Sequence, residues 1–531
     1  MSGNQDSFAA VEVSSIEALE ALHARATRLL SEFQSFNDYL REKGKQDEVE
    51  MRIFRRGLQA ECDGLDKVIS GKLTNGHNVN DVPEQEVEGR RALLVKTSNV
   101  SHYEIWWSLA KTCRGVRGLG RRIGVQPSSN EGRSRAQKQN QVQGQEVQVD
   151  IIADDGQEWI KISTVSEKRL LFEMAKEGWE RYDDSSDSEA SSAILPKLEL
   201  LRLAGALHAA ARTTRVRYQH PRIHFILPNL PLDAHPDVSV LLTALRATGA
   251  TVSSGSIPLP PPAAPLADAF THMLPSPPHQ PPLTPSLSLD TSILIALLSD
   301  QCHTPPSELS SRPLTTSSHT YHAAIQQQMA QEETSPLLPG TLYPLLCERS
   351  LVCTQAAAAR ARDIVDTMGT ESERARAEVV LGEGPCAGKE GGELTAALQD
   401  LSTYALPVGL RLPVRVVGNV GVEGVLDDAA AVPAHPGFPV EVAWRLVRGT
   451  KLSALNESVL LHGWREGVVT VTSNGVAVGQ VERGINAVLD EMERVEGRDL
   501  VGFVAPMYWV VQESRSLVGK EKQGRGAKQE M

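Results

Sequence analysis

The segment Pro285-Ser-Leu-Ser-Leu-Asp-Thr-Ser-Ile-Leu-Ile-Ala-Leu-Leu-Ser299 has the pattern of a short buried strand that leads directly into a helix. Leu287 and Leu289 alternate with serines, as in a strand, and the apolar run at 293–298 is typical of the start of a buried helix. Asp290 lies at the junction of the two. Open α/β sheets place ligands and metals at the C-terminal ends of their strands, so this carboxylate is a candidate ligand.

Asp290 has two interpretations. The order of strand, Asp, small polar residue and helix resembles the start of a PIN-type nuclease domain. The alternative is that Asp290 only suits the start of a helix, where Thr291 and Ser292 are also suited to cap free backbone amides. The choice depends on whether further acidic side chains accompany Asp290.

The length and composition of the chain limit the classes of protein to which it can belong. A chain of 531 residues is too long for one hydrophobic core and predicts about two to four domains. The hydrophobic fraction of 41% and the charged fraction of 23% indicate that most of it folds, while 41 Gly and 31 Pro predict extensive loops. The net charge of -12 argues against a general nucleic-acid or membrane coat, although a local basic patch is compatible with it.

The chain shows no targeting signal. Its first residues are neither basic nor followed by an apolar run, and no apolar segment approaches the about 20 residues that span a bilayer. Six cysteines without a CxxC pair are typical of reduced thiols in an intracellular protein. We therefore expect a soluble, cytoplasmic or nuclear protein without a membrane partner.

The N-terminal residues 1–75 are predicted to be helical. Apolar residues recur at threes and fours between residues 16 and 36, and a second helical run covers 48–69. Together they predict an antiparallel helical hairpin, which serves either as packed structure or as a surface for a protein partner.

Residues 76–145 form a basic segment with aromatic residues. Between residues 90 and 140 there are eleven Lys or Arg against two Glu. Basic side chains near aromatic rings can bind phosphates and stack bases. The candidate nucleic-acid-binding residues are Arg114, Arg117, Arg121 and Arg122. The alternative is that Trp106 and Trp107 belong to the core, while residues 128–145 form a disordered basic loop.

The rest of the chain alternates predicted strands and helices, so the predicted fold class is α/β. Residues 146–255 are expected to form a small central α/β domain, and the Pro-rich residues 256–285 a semi-stiff, largely extended linker. Residues 286–515 predict a PIN-like, Rossmann-like domain with a mainly parallel sheet. Its final strand is predicted at Leu500–Ala505. Residues 516–531 are expected to be a disordered tail.

Several familiar motifs are absent or spaced wrongly. The segment 382–389 only superficially resembles a phosphate-binding loop, because its glycines and Lys389 have the wrong spacing. The chain has no Gly-x-Ser-x-Gly elbow, which disfavours a standard α/β-hydrolase. His220 and His224 lie four residues apart, but Pro221 and the strand that follows exclude a shared helical face.

Metal-dependent phosphodiester cleavage is the remaining chemistry, and it needs three or four carboxylates around Mg²⁺ or Mn²⁺. In a PIN-like sheet the further acids come from a middle helix and from the end of a later strand. The inward position of the middle helix is Arg360, with Asp363 and Asp366 one and nearly two turns away. The later strand is followed by Asn474, which is not a carboxylate. Asp290 alone would hold a divalent metal weakly, so the acid set is predicted to be incomplete.

Four segments carry a family resemblance: 148–162, 287–294, 364–369 and 373–375. They resemble the domain-of-unknown-function-1308 family, an uncharacterised eukaryotic family, and the resemblance extends in the same order to 60–68 and 501–504. It implies a PIN-like C-terminal region, with an acid near Arg360 and a Gly-x-Gly-Asp-like turn in relatives. This chain has Arg360 and Thr472-Ser-Asn-Gly475 at those places, so only Asp290 carries over.

Three functions follow as hypotheses. The leading one is a catalytically weak or inactive PIN-like module that binds RNA or acts as a scaffold. The second is a ribonuclease that uses Mg²⁺ or Mn²⁺ on Asp290 with Asp363 or Asp366, and with Asp490. The third is a protein-interaction factor that uses the N-terminal helices and the Pro-rich linker and binds no nucleic acid.

Overall fold

A computed structural model describes residues 15–70, 84–124, 146–179, 194–255, 265–276, 280–311, 323–418, 435–497 and 503–518. The chain divides into two compact units, Met1–Ser276 and Pro277–Met531. The division falls within the Pro-rich stretch at 256–285. Much of the predicted basic loop, at 125–145, and most of the predicted tail, at 519–531, lie outside the described residues. Within the described ranges, no helix is both long and apolar enough to cross a membrane.

The first unit combines helices with a mixed sheet. Its helices are α1 (Ser15–Glu42), α2 (Arg52–Ile69), α3 (Glu84–Thr97), α4 (Val100–Ala110), α5 (Glu167–Lys176), α6 (Glu199–Arg212), α7 (Pro236–Ala247) and α8 (Leu266–Met273). Its strands are β1 (Gly118–Gly124), β2 (Glu146–Ala153), β3 (Glu158–Ile162), β4 (Arg222–Leu227) and β5 (Thr251–Ser254). The sheet order is β1-β2-β3-β4-β5, with antiparallel pairs up to β3 and parallel pairs from β3 to β5.

The helices α1 and α2 form the antiparallel pair that the sequence predicts. Leu19 near the start of α1 shares a buried cluster with Leu65 near the end of α2, and Phe33 packs on Phe54 with ring centroids 5.3 Å apart. Trp107 is only 1% exposed and packs edge-on against Phe33. The tryptophans of α4 are therefore core residues, as the alternative interpretation of the basic segment predicts.

The prediction of an extended linker or long loop is wrong for residues 266–273, which form α8. Phe270 and Met273 are buried in the same core as the tryptophans. Their spacing of three residues puts both on one face of a short helix. The many flanking prolines conceal this helix in the sequence, since composition alone favours an extended chain.

The second unit contains an all-parallel sheet, so the predicted α/β class with a mainly parallel sheet is confirmed. Its helices are α9 (Thr291–Leu298), α10 (Asp300–His303), α11 (Pro306–Ser311), α12 (Ala323–Thr334), α13 (Tyr343–Leu346), α14 (Gln355–Met368), α15 (Glu371–Leu381), α16 (Gly391–Asp400), α17 (Val440–Gly449), α18 (Ala454–Glu466) and α19 (Gly475–Glu496). Its strands are β6 (Ser286–Leu289), β7 (Ser350–Thr354), β8 (Arg415–Val417), β9 (Val469–Thr472) and β10 (Tyr508–Val510). The sheet order is β10-β9-β6-β7-β8.

The last strand of this sheet in the described residues is β10, with Tyr508 opposite Thr470. Of the strand predicted at residues 500–505, residues 503–505 have no regular structure and residues 500–502 lie outside the described residues. The strand β7 was not predicted, because its continuous apolar run at 351–353 has no alternation that would distinguish a strand from a buried helix segment.

The order of the strands creates a topological switch point between β6 and β9. From β6 the chain adds β7 and β8 on one side, and later returns to add β9 and β10 on the other side. In open parallel sheets, ligands bind in the crevice outside the carboxyl ends of the strands at such a point. The residues that follow β6 and β9 are Asp290 and Ser473.

Candidate functional site

Asp290 occupies the N-cap position of α9, but its carboxylate does not cap that helix by a hydrogen bond. Its backbone carbonyl accepts the hydrogen bonds from the amides of Ile293 and Leu294 instead. Asp290 as a whole residue is 7% exposed. The Asp290 side chain therefore does not cap α9, contrary to the alternative interpretation, and it has other hydrogen-bond partners.

The partners of Asp290 come from both sides of the switch point. Its Oδ2 accepts hydrogen bonds from Thr472 Oγ1 at 2.6 Å and from Ser292 Oγ at 2.9 Å. Ser292 Oγ in turn accepts from the backbone amide of Ser473 at 3.0 Å. Thr472 Oγ1 accepts from the amide of Asn474 at 2.9 Å. We call these five residues the switch-point network, and it joins the end of β6 to the end of β9.

Asn474 occupies the position where the resemblance to a PIN-like sheet predicts an acid. In the structure its side chain has a structural role. Its Oδ1 accepts the amide of Ala477 at 3.1 Å and so caps α19. The end of β7 is similar, because Thr354 Oγ1 accepts the amide of Ala357 at 3.2 Å and caps α14. The strand ends around Asp290 thus present hydroxyl and amide groups that already have backbone partners.

Asp363 and Asp366 are not brought to Asp290. Both are exposed on α14, and Arg360 donates a hydrogen bond to Asp363 at 2.5 Å. Thr291 Oγ1 contacts the carbonyl of Ala357 at the start of α14. At 1.5 Å per residue the two carboxylates lie about 9 Å and about 13 Å further along the helix than Ala357.

Asp490 is also remote from the carboxyl ends of the strands. It is exposed near the far end of α19, fifteen residues after Gly475, which corresponds to about 22 Å along the helix axis. Carboxylates that share an ion must each come within about 2.0–2.6 Å of it. The donor set around Asp290 in the described residues therefore does not fit a multi-carboxylate Mg²⁺ or Mn²⁺ centre.

A buried charged cluster lies elsewhere in the second unit, and the sequence reasoning missed it. Asp300 and Arg376 form an ion pair at 2.6 Å with side chains 1% and 2% exposed. The Thr370 and Ser372 hydroxyls also donate to Asp300, at 2.8 and 2.7 Å. Burial acts to raise the pKa of Asp300, but the hydrogen bonds and the guanidinium outweigh it and hold the pKa below its ordinary value.

Glu373 completes this cluster through backbone groups. Its carboxylate accepts from the amides of Asp300, Thr370 and Val518 at 2.9–3.0 Å. Burial raises the pKa of Glu373, and the backbone hydrogen bonds offset only part of this effect. The groups of the cluster hydrogen-bond one another and the backbone, which indicates that it stabilises the fold.

The four predicted nucleic-acid-binding arginines have different surroundings. Arg117 is partly buried and bridges Glu48 at 2.7 Å and Asp155 at 3.1 Å, so it is a structural residue. Arg114 is exposed in the loop before β1. Arg121 and Arg122 are exposed on β1, an edge strand of the first sheet.

Three further arginines lie beside β1, and the sequence reasoning did not single them out. Arg52, Arg55 and Arg56 are exposed on the first turns of α2. The helix approaches β1 closely, since an added Cβ at Gly120 would lie 2.9 Å from Ile53. The signal in the sequence is arginine at i, i+3 and i+4 of a predicted helix. Arg121 lies near Glu50, just before α2, and contributes to lowering the pKa of that carboxyl group, whereas the neighbouring Arg122 points to the other face of the strand. We call Arg52, Arg55, Arg56 and Arg121 the arginine surface.

Acidic neighbours reduce the net charge of the arginine surface only in part. Arg52 pairs with Glu50 at 2.8 Å. This pair is on the surface, where such contacts are weak and screened by salt. A local excess of positive charge therefore remains in a chain whose net charge is -12.

Comparisons of the chain with protein-family models, with curated proteins and with solved structures gave no match. The resemblance to the domain-of-unknown-function-1308 family and to PIN-type domains therefore stays a prediction.

Proposed function

We propose that this protein binds RNA without cleaving it, and that its second unit is a PIN-like module with an incomplete set of catalytic acids. The all-parallel sheet with an aspartate at its switch point supports the PIN-like part of the proposal. The choice of RNA as ligand follows from the resemblance to PIN-type nucleases, and the arginine surface supports it by its charge.

The hydrogen bond from Thr472 Oγ1 to Asp290 Oδ2 is the observation that best supports the proposed lack of catalysis. At this end of β9 an active enzyme needs a second carboxylate, so that two acids hold the ion that activates water and neutralises the phosphate. Here Asn474 stands at the place of that acid and caps α19, while the Thr472 hydroxyl hydrogen-bonds to Asp290 but adds no negative charge. The Asp290 carboxylate then organises the strand ends instead of binding a catalytic ion.

The arginine surface supplies the affinity for RNA. Each arginine that neutralises a phosphate releases a bound counterion, so the affinity falls steeply as salt is added. An edge strand and a neighbouring helix present these side chains from rigid backbone. The tryptophans of the same segment take no part, because they are buried in the core.

The test is an assay of binding and cleavage on the same samples. A labelled, mixed-sequence RNA is incubated with Mn²⁺ and the full-length protein, as wild type, Asp290→Asn, or Arg55→Gln with Arg56→Gln. We expect binding without cleavage, weakened by the arginine changes and unaffected by Asp290→Asn.

The other outcomes separate the alternatives. Cleavage that disappears in Asp290→Asn would overturn the proposal and establish a ribonuclease. The lack of both binding and cleavage at about 50 mM salt, where phosphate contacts are strong, would favour a protein-interaction factor.

A further inference from the structure

Three polar side chains form a continuous hydrogen-bonded line across the parallel part of the first sheet. His224 on β4 has its Nδ1 3.0 Å from Glu158 Oε1 on β3. Its Nε2 lies 2.9 Å from Ser253 Oγ on β5. The carboxylate, imidazole and hydroxyl correspond, in that order, to a group that orients the base, a base and a nucleophile.

The direction of each hydrogen bond follows from the carboxylate. The hydrogen bond from His224 is the largest cause that lowers the pKa of Glu158, which keeps this carboxyl group ionised and able only to accept. The proton of a neutral His224 therefore lies on Nδ1. Its Nε2 is left with a lone pair that accepts the hydroxyl hydrogen of Ser253, as a general base requires.

The backbone of three strands holds these groups in place. His224 lies opposite Ile160 of β3 and Thr251 of β5, and Ser253 lies opposite Ile226. Because side chains alternate between the two faces of a strand, this register puts all three groups on the same face. Sites built on strands are held more rigidly than sites on loops.

The line is also accessible from solvent. The side chains of His224 and Glu158 are 20% and 29% exposed, and Ser253 is partly exposed. Ser253 lies near the carboxyl end of an edge strand, the end at which parallel sheets place their sites. Side-chain hydrogen bonds with only a structural role would not need to be accessible to solvent.

We propose that Ser253 is a nucleophile, activated by His224 and oriented through Glu158, that accepts the acyl group of a carboxylic ester. The Ser253 hydroxyl proton moves to His224 Nε2 as Oγ bonds to the acyl carbon. The ester C–O bond breaks, and the leaving alcohol takes the proton from Nε2. A water molecule then gives a proton to Nε2 and attacks the acyl-serine. The acid leaves as Ser253 Oγ recovers that proton.

This site differs from a standard α/β-hydrolase, since Ser253 lies within a strand and not at a Gly-x-Ser-x-Gly elbow. The same three roles occur on unrelated folds in different chain orders. The neighbouring thiol of Cys113 is not a competing nucleophile, because burial raises its pKa to about 12. The inference is independent of RNA binding, which uses other residues.

The test is reaction of the full-length protein with a fluorophosphonate probe, followed by mass-spectrometric mapping of the labelled serine. We expect labelling at Ser253, none in Ser253→Ala, and a rate about 100-fold lower in His224→Gln, since general-base catalysis contributes at least this much. Ser254→Ala is the matched control, because its side chain points to the opposite face of β5 and its labelling should equal that of wild type. Thermal unfolding of each variant checks that the fold is kept.

A second readout is the release of p-nitrophenol from p-nitrophenyl acetate. A burst that requires Ser253 and slows in Glu158→Gln supports the triad. The proposal is overturned if Ser253 is not labelled in the folded wild type, or if His224→Gln is labelled at the wild-type rate.

Discussion

Thr472 Oγ1 lies 2.6 Å from Asp290 Oδ2 and joins two strand ends that are 182 residues apart in the chain. The contact lies where the order of the parallel sheet reverses, which is the usual ligand position of such sheets. In this protein the Thr472 hydroxyl satisfies Asp290, and Asn474 stands where catalysis would need an acid. The relationship links the stability of the second sheet to its proposed lack of nuclease activity.

Replacement of Thr472 by Val should destabilise the second unit by about 1.5–3 kcal/mol, because the buried charged acceptor Asp290 loses a hydrogen bond while the shape is kept. Thr472→Ser keeps the donor and should cost less. Hydrogen-exchange mass spectrometry of peptides from β6 and β9, at increasing urea, resolves this unit from the other. Equal protection in Thr472→Val and wild type would contradict the assignment.

Loss of the Asp300–Arg376 ion pair should reduce the stability of the second unit by more than loss of the Thr472 hydroxyl. Arg376→Met leaves the Asp300 carboxylate buried without its counter-charge, and breaking such a pair costs about 3–5 kcal/mol. The matched control is Arg374→Met, since Arg374 is exposed two residues earlier on the same helix. The same exchange experiment on peptides from α15 should show strong deprotection for Arg376→Met and little change for Arg374→Met. Similar effects of both changes would show that the charge pair is unimportant.

Because His303 is buried, we expect the second unit to lose stability in mild acid. Burial is the main cause that lowers its pKa to about 3, and its ring is hydrogen-bonded to Ser402 and to the carbonyl of Leu297. Between pH about 6.5 and about 3, the histidine of the unfolded chain is protonated while buried His303 of the folded chain is not. Its contribution is therefore present above pH about 6.5 and is lost as the pH falls towards about 3, by up to about 1.4 kcal/mol per pH unit.

The measurement for His303 is the urea midpoint of the second unit at pH values from about 7 to about 4. The wild type should lose stability more steeply than His303→Gln, whose side chain does not titrate. The two pH profiles would be parallel if the imidazole were protonated in the folded protein.

The arginine surface predicts a change in salt dependence. Arg55→Gln with Arg56→Gln removes two phosphate contacts, so the slope of log affinity against log salt should fall by about 1.4 for single-stranded RNA. Arg117→Gln is the contrasting change, because Arg117 is paired with Glu48 and Asp155. It should lower stability and leave the slope unchanged. An unchanged slope in the double variant would exclude this surface as the RNA contact.

Much of the architecture follows from local patterns in the sequence. The strand and helix on either side of Asp290 and the pair α1 and α2 were predicted, because periods of two and of 3.6 residues are local properties. The helix α8 and the position of β10 were not. In both places the apolar segments are short, and burial or strand pairing decides their structure.

The candidate sites show the same division. Asp290 could be found from the sequence, because a strand followed by Asp and a helix is a local signal. Its contact with Thr472 could not, and neither could the exposed positions of Asp363 and Asp366 on α14. Sheet order and register bring distant residues together, and a single sequence records neither of them.

The sequence by itself therefore determined many, but not all, of the strands and helices, and that an aspartate follows the first strand of a parallel sheet. Only the tertiary structure decided that Asp290 meets a threonine and that His224 meets both Glu158 and Ser253, which are 66 and 29 residues away. The physical reason is that backbone periodicity acts within a few residues. Side-chain chemistry depends instead on contacts of about 3 Å, which exist only after the strands have paired.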